Sequence, residues 1–294
     1  VAEVAVVTDS TCYLPAALID RLGITVVSLY YDVGAGPLRE LEFDGDFGRF
    51  YAGLDASKTV ATTSPPTVDD FIAVFEPLLQ QHSAVVSVLI SSGISETCSM
   101  ARRAATRLES EGRGGERVVV IDSAGTCGHL GVQVLAAARA AAAGEDGRGV
   151  IEWTRRARQE VREWVLLDTL EYLRRGGRIG SAAAWIGSAL DIKPILTIES
   201  EMKAAARVRS RRRGVERLVE LMQQHRSVVG ADRWIVQHTY AHQDAQRLAD
   251  RLAKLFGTKP EFITEVGPVV ATHLGPEASL AGGLPGAALD GARG

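Results

Sequence analysis

A chain of 294 residues that is 46% hydrophobic and 23% charged, with a formal net charge of −3, has the composition of an ordinary globular protein and room for two domains or one large α/β unit. That charge excludes a general nucleic-acid binder, whose surface would be strongly basic. It has no run of roughly 18 apolar residues able to span a bilayer, since the best candidate, VQVLAAARAAAAG, is short and broken by Arg139.

From the start of the chain, VAEVAVVTDS predicts a buried strand ending in polar residues. It lacks the basic flank and long apolar stretch of a secretory signal, so the expected location is the cytoplasm. Pro15 suits the first turn of a helix through Leu22, and Gly23 suits its stop. ITVVSLYYD predicts a second strand, residues 44–54 a short helix, 67–81 a longer helix, and AVVSVLIS the next strand. A helix is expected to start near Ser95, followed by the strand RVVVIDS and an Ala-rich helix over about 128–143. This β-α-β-α order with continuous apolar strands predicts a parallel, Rossmann-like sheet covered on both faces.

The pattern changes from about residue 158. WVLLDTLEYLRRGGRIGSAAAW predicts a strand and short helical pieces, while PILTIES and EMKAAARVRS read as an antiparallel hairpin turning near Ser200. A helix over 211–226, the strand WIVQHT, a helix over 242–256 and the strand EFITEV follow. The fold class is therefore α/β with two domains, a parallel one over 1–157 and a mixed one over 158–294. The tail LGPEASLAGGLPGAALDGARG, rich in Gly and Pro, is expected to be partly disordered.

Four polar clusters, TDSTC (8–12), TTSPPT (62–67), SSGISET (91–97) and VIDSAGT (120–126), lie at strand ends, where ligands bind in an open parallel sheet. Each also precedes a helix, where Ser, Thr and Asp serve as caps. Two chemistries compete at SSGISET. Ser95 could be the nucleophile of a strand-turn-helix elbow, with Asp122 or Asp168 and then His273 completing an esterase triad in hydrolase order. Against it, Glu96 and Thr97 stand where the elbow needs a small residue, and no HGGG-like segment precedes it. Alternatively, the helix start holds an anion through backbone N–H groups and hydroxyls. Neither a phosphate-binding G-x-x-x-x-G-K-[ST] loop nor a G-x-G-x-x-G fingerprint occurs, so the anion need not belong to a nucleotide.

The remaining signals are weaker. His238 and His242 in HTYAH have metal-like spacing but lack the glutamate of H-E-x-x-H. Cys12, Cys98 and Cys127 stand far apart and read as free thiols. His273, in GPVVATHLGP, is read at the end of an apolar strand, as either a satisfied histidine or a ligand contact. LEYLRRGGRIG sets Arg174, Arg175 and Arg178 beside glycines that could turn a guanidinium inward or form a solvated loop. RVRSRRR, residues 207–213, is a solvated strand end or a docking patch for an acidic partner.

Taken together and in order, VTDSTCYLP, TSPPT, ISSGISET, VIDS, LEYLRRGGRIG, KPILTIE, VQHTYAHQDAQRL and VGPVVATHLGP resemble the DegV family of bacterial fatty-acid-binding proteins over nearly the whole chain. The resemblance implies a long-chain, palmitate-like fatty acid in a cleft between the two domains. Its carboxylate would be gripped by Thr63, with Ser64 beside it, and by Ser95, with Ser92 and Gly93 beside it. His273 and Arg175 would be further polar neighbours. It also implies a partner, a separate ATP-binding fatty acid kinase that forms the acyl phosphate, and so a role in phospholipid metabolism. The chain would be the binding subunit and not an enzyme, with no catalytic residue, cofactor, metal, nucleic acid or transmembrane segment, and with transient membrane contact. Pro65, Glu96 and Cys98 depart from the family's usual Gln, Gly and Tyr. Glu96 would repel a bound carboxylate unless it points to solvent from the first helical turn.

Overall fold

The computed structural model of the chain describes residues 3–56, 61–185 and 192–290. β1 (Val4–Asp9) is buried along its whole length, as its unbroken apolar run demands. At its end the buried Asp9 carboxylate accepts from Thr11 N, Thr11 Oγ1 and, on the neighbouring strand's exit, Ile90 N. α1 (Ala16–Leu22) follows Pro15 and stops at Gly23, where φ is +62°.

The stretch ITVVSLYYD, expected as one strand, is two. β2 (Thr25–Val27) runs parallel to β1, whereas β3 (Tyr30–Asp32) pairs antiparallel with β4 (Leu38–Arg39) in a separate three-stranded sheet. The break falls at Ser28 and Leu29, where the Leu29 backbone is engaged elsewhere. Leu29 N donates to Ser10 Oγ (3.0 Å), and Leu29 O accepts from Glu40 N (2.9 Å). α2 (Phe47–Ala56) then brings Phe47 and Phe50 against Tyr31 and Phe43, and Tyr51 against Phe50, in edge-to-face contacts. β5 (Thr62–Ser64) completes the small sheet beside β3.

α3 (Val68–Gln81) starts with a capping box between Thr67 and Asp70. β6 (Ala84–Leu89), α4 (Thr97–Ser110), β7 (Val118–Asp122) and α5 (Cys127–Ala142) follow the expected order, and the four strands β2-β1-β6-β7 are all parallel. α5 is buried on nearly every side because it packs against this sheet and against the second one. Its alanines let both approach. α6 (Gly147–Glu160) has little apolar signature, since only Val150, Thr154 and Ala157 are buried on one face of a charged helix.

The second half builds a six-stranded mixed sheet in the order β10-β9-β8-β13-β11-β12. β8 (Arg162–Leu166), α7 (Glu171–Arg175), β9 (Lys193–Glu199) and β10 (Glu201–Val208) come first, with the β9–β10 turn at Ser200, φ +68°. α8 (Arg211–Val229), β11 (Arg233–His238), α9 (His242–Phe256) and β12 (Ile263–Glu265) follow.

Two expectations are corrected at the end of the chain. His273 lies on a helix, α10 (Pro268–Leu274), and not at a strand end. Pro268 occupies its first turn, and its free amides are taken by Glu40, which accepts from Val269 N (2.8 Å), and by Tyr13 Oη, which accepts from Val270 N (3.1 Å). The Gly- and Pro-rich tail holds β13 (Ser279–Leu284), fully buried between β8 and β11, and α11 (Gly286–Leu289). A side chain at Gly282 or Gly283 would meet Arg162 O at 3.0 Å or Arg233 O at 2.9 Å. At Gly282 and Gly283 the flanking strands leave little room for a side chain, so these two glycines belong to a packed strand and not to a flexible tail. Residues 291–294 of the tail lie outside the described residues.

The sheets share their packing. Leu29, Tyr31 and Phe50 belong to the same apolar cluster as Val165, Leu196 and Leu280 of the second sheet. Val86 and Leu135 cluster with Ile235 and Leu284.

Candidate functional site

The loops at the carboxyl ends of β6 and β7 face the second sheet, and a cavity of about 590 Å³ lies between them, whereas TDSTC at the end of β1 contributes no residue to its lining. This is the size of a small-molecule site. Its apolar wall comes from both halves of the chain, with Ile90 after β6, Val165 of β8, Ile198 of β9, Met202 of β10, Val270 of α10 and Leu280 of β13. The polar part of the lining includes Thr63, Ser64, Ser92, Gly93, Ser95 and His273, together with Glu96, Thr126, Arg178 and Glu201. The first six, all expected positions, meet at one cavity, although they lie up to 210 residues apart.

Thr63, on β5, and His273, on α10, are joined directly, Oγ1 to Nε2, at 2.8 Å. Burial, and then the positive charge of Arg178, push the imidazole down to about 4, so it is neutral at pH 7. The ring is pressed against Gly176. A Cβ there would sit 2.1 Å from Nδ1, a buried atom with no hydrogen-bond partner among the described residues.

The 91–96 loop is bolted to the β9–β10 turn of the second sheet, where Ser91 Oγ donates to Ser200 O at 2.6 Å. Gly93 lies so close that a Cβ would meet Ser200 O at 2.2 Å. At the start of α4, Ser95 Oγ bonds Thr97 Oγ1 (2.8 Å) and accepts from Thr97 N (3.3 Å), while Glu96 holds the cap position without capping and is exposed. Ser92 is exposed and bonds Asp122.

Arg175 lies outside the cavity lining, and Arg178 lines it instead. At i+4 from Glu171, Arg175 reaches back along α7 to that carboxylate (2.7 Å), as Arg174 does from i+3. Gly177, at φ +69°, then turns the chain so that Arg178 meets the 91–96 loop, its Nε donating to Ile94 O at 3.4 Å.

The arrangement does not assemble an acyl-transfer relay. Ser95 is bonded to Thr97 and His273 to Thr63, while Asp122 and Asp168 are bonded to Ser92 and Lys193. His238 Nε2 and His242 Nδ1 bond each other at 2.9 Å, and no cluster of three metal-ligating side chains occurs among the described residues. Cys12, Cys98 and Cys127 are buried free thiols, and burial raises all three, Cys12 and Cys98 to about 12. RVRSRRR is divided among separate tasks. Arg207 lies over the Trp185 ring, Ser210 caps α8, Arg211 pairs with Asp244, and Arg213 pairs with Glu216. No helix among the described residues is long and apolar enough to cross a membrane. Two further cavity positions, Thr126 and Arg178, stood in VIDSAGT and LEYLRRGGRIG, but their spacing does not separate them from their neighbours.

A family model described as "Uncharacterised protein, DegV family" matches residues 3–281. The DegV protein of Bacillus subtilis is 30% identical over 275 residues, covering 93% of this chain and 95% of that protein. A DegV domain-containing protein of Streptomyces coelicolor is 34% identical over 278 residues, covering 93% of this chain and 95% of its own length. Among solved structures, a DegV family protein from Thermus thermophilus, described by its fatty acid binding, is similar with a TM-score of 0.87 at 30% identity, over 96% of this chain and 99% of that one. The structure of B. subtilis DegV, described as a fatty acid binding protein, has a TM-score of 0.83 at 29% identity, over 97% and 100%.

Proposed function

This chain belongs to the DegV family, and we propose that it binds a long-chain fatty acid in the cavity between its sheets and presents the carboxylate to a separate ATP-dependent fatty acid kinase for acyl-phosphate formation. The observation that carries this reading is one cavity with an apolar wall drawn from both sheets and a Thr63–His273 pair, serine hydroxyls and a helix start on the same lining. The Thermus and Bacillus relatives described as fatty acid binding support it.

The energetics suit a carrier. Each buried methylene contributes about 0.8 kcal/mol, on the order of 10 kcal/mol for a palmitate-sized tail, so the apolar wall supplies the affinity. The head group then needs donors to avoid an unpaired buried charge. Thr63 and Ser95 serve as those donors, with His273 Nε2–H donating to Thr63 Oγ1 so that the threonine hydroxyl is free to donate to the carboxylate, and with the Arg178 charge nearby in the role the family resemblance assigned to Arg175. Glu96 borders the cavity but is exposed, so water screens its charge from the carboxylate. Exposed Ser64 and Ser92 mark the edge of the cavity from which the carboxylate reaches the kinase.

The test is mass spectrometry of lipid released from the purified protein, with calorimetric titration of the delipidated protein with palmitate. One fatty acid per chain is expected. Absence of both retained lipid and uptake would reject the reading. The kinase step is read separately, by trapping acyl phosphate with hydroxylamine after the loaded protein meets the kinase and ATP. No hydroxamate would remove that half alone.

A further inference from the structure

α5 begins beside the cavity in an unusual way. Thr126 is its N-cap residue, and a threonine there ordinarily accepts a hydrogen bond from the amide two or three residues on. Its side chain makes no such bond. The amide it would serve, His129 N, donates instead to Glu163 Oε2 of β8, at 3.1 Å. Gly128 permits this approach, since a Cβ there would lie 2.6 Å from Glu163 Oε1.

The helix is thus capped from the second sheet, and the Thr126 hydroxyl is released from the task its position implies. Thr126 is only 4% exposed, lines the cavity, and its Oγ1 has no hydrogen-bond partner among the described residues beyond contact with the Cys127 thiol. The adjoining Cys127 thiol is a weak hydrogen-bonding group and does not substitute for one. A buried hydroxyl without a partner destabilises the protein unless something bound in the cavity pairs with it. The backbone around it is held firmly. Ala124 and Cys127 have φ of +54° and +51°, Gly125 O accepts from Ser91 N at 2.8 Å, and Ala124 O accepts from Ser200 N at 3.0 Å. Thr126 therefore sits on a loop tied to both the Ser91–Ser95 segment and the β9–β10 turn.

We infer that Thr126 is a ligand contact, its hydroxyl donating a hydrogen bond to an oxygen atom of the bound acyl molecule, which rests on the fatty-acid reading above. An unsubstituted methylene chain has no such oxygen, so the acceptor is the carboxylate or an oxygen carried within the chain. In either case the contact selects ligands by where they carry oxygen.

The test compares wild type, Thr126→Val and Thr126→Ser, titrated calorimetrically with stearate and with a hydroxystearate bearing its hydroxyl mid-chain, alongside thermal unfolding of the lipid-free proteins. Valine keeps the shape and removes the unpaired group. The lipid-free Thr126→Val protein should melt about 2 °C higher than wild type. It should also bind about tenfold more weakly. A merely structural threonine would lower both. Thr126→Ser should restore binding. Loss toward both acids identifies the carboxylate as acceptor, and loss toward the hydroxystearate alone identifies the chain oxygen. If Thr126→Val should fail to fold, Thr126→Ala against Thr126→Ser reads the same binding difference. Unchanged affinity for both acids in a folded hydroxyl-free variant overturns the inference while leaving the fatty-acid reading intact. A wild type that binds neither acid overturns both.

Discussion

Gly176→Ala tests whether the imidazole of His273 is held where the structure has it. The backbone at Gly176 has φ −76° and ψ −5°, which any residue adopts, so the substitution carries no conformational strain. On backbone entropy alone it should stabilise by about 0.4–1 kcal/mol. The obstacle is the ring, because the new Cβ would lie 2.1 Å from Nδ1 and 2.7 Å from Cε1. Ordinary contact is about 3.5–4.0 Å, so the ring must retreat by more than an ångström. Its Nε2 is bonded to Thr63 at 2.8 Å and cannot retreat that far and keep the bond. Overpacking costs about 1–3 kcal/mol and the lost bond about 1 kcal/mol, which leaves a net loss of about 1–3 kcal/mol after the entropy gain. In a His273→Ala background the obstacle is gone, and Gly176→Ala should be neutral or slightly stabilising. Urea unfolding of wild type, both single variants and the double variant gives the coupling energy, expected near 2 kcal/mol. An equal loss in both backgrounds would refute the argument, since the cost would then owe nothing to the imidazole. The Gly176→Ala protein should also bind palmitate more weakly, because Thr63 and His273 no longer meet.

Further outcomes are expected at other positions. Thr63→Val should weaken palmitate binding by at least about tenfold, the value of one hydrogen bond to a charged group, measured by titration calorimetry; equal affinity would place the carboxylate elsewhere. Glu40 is buried and pushed up from 4.5 to about 7, mainly by desolvation. Between those values the folded chain keeps a proton that the unfolded chain has lost, so stability falls as pH rises through the window, by about 3 kcal/mol in all. Glu40→Gln should remove that slope and be the more stable protein at pH 8. Urea midpoints at pH 5 and pH 8 that change in parallel for the two proteins would contradict it. Ser200→Gly should stabilise by about 1 kcal/mol by relieving the left-handed backbone at φ +68°, read as a rise in the urea midpoint.

Much of the fold was legible because its signals are local. The apolar runs of β1, β6 and β7, the Pro15 and Gly23 limits of α1, and the Thr67–Asp70 box of α3 each act within a few residues. The misreadings arose where a local pattern has two meanings. PVVATHL is apolar enough for a strand, but Pro268 at a first turn and amides taken by Glu40 and Tyr13 make it helical. SLAGGL reads as a flexible tail until Arg162 O and Arg233 O are seen on either side. Among Arg174, Arg175 and Arg178, the sequence offers no criterion for which faces inward. That depends on Glu171 drawing two of them along α7 and on the turn at Gly177.

By itself, then, the sequence determined the α/β class, the hydroxyl-rich loops at strand ends and the absence of a nucleotide-binding motif, all properties of residue type and short-range order. Only the tertiary structure decided that Thr63 meets His273 across 210 residues, that Arg178 and not Arg175 borders the cavity, and that Thr126 finds no capping partner among the described residues because Glu163 caps α5 in its place. Each of these is settled by a contact between segments that the chain brings together only when both sheets have packed.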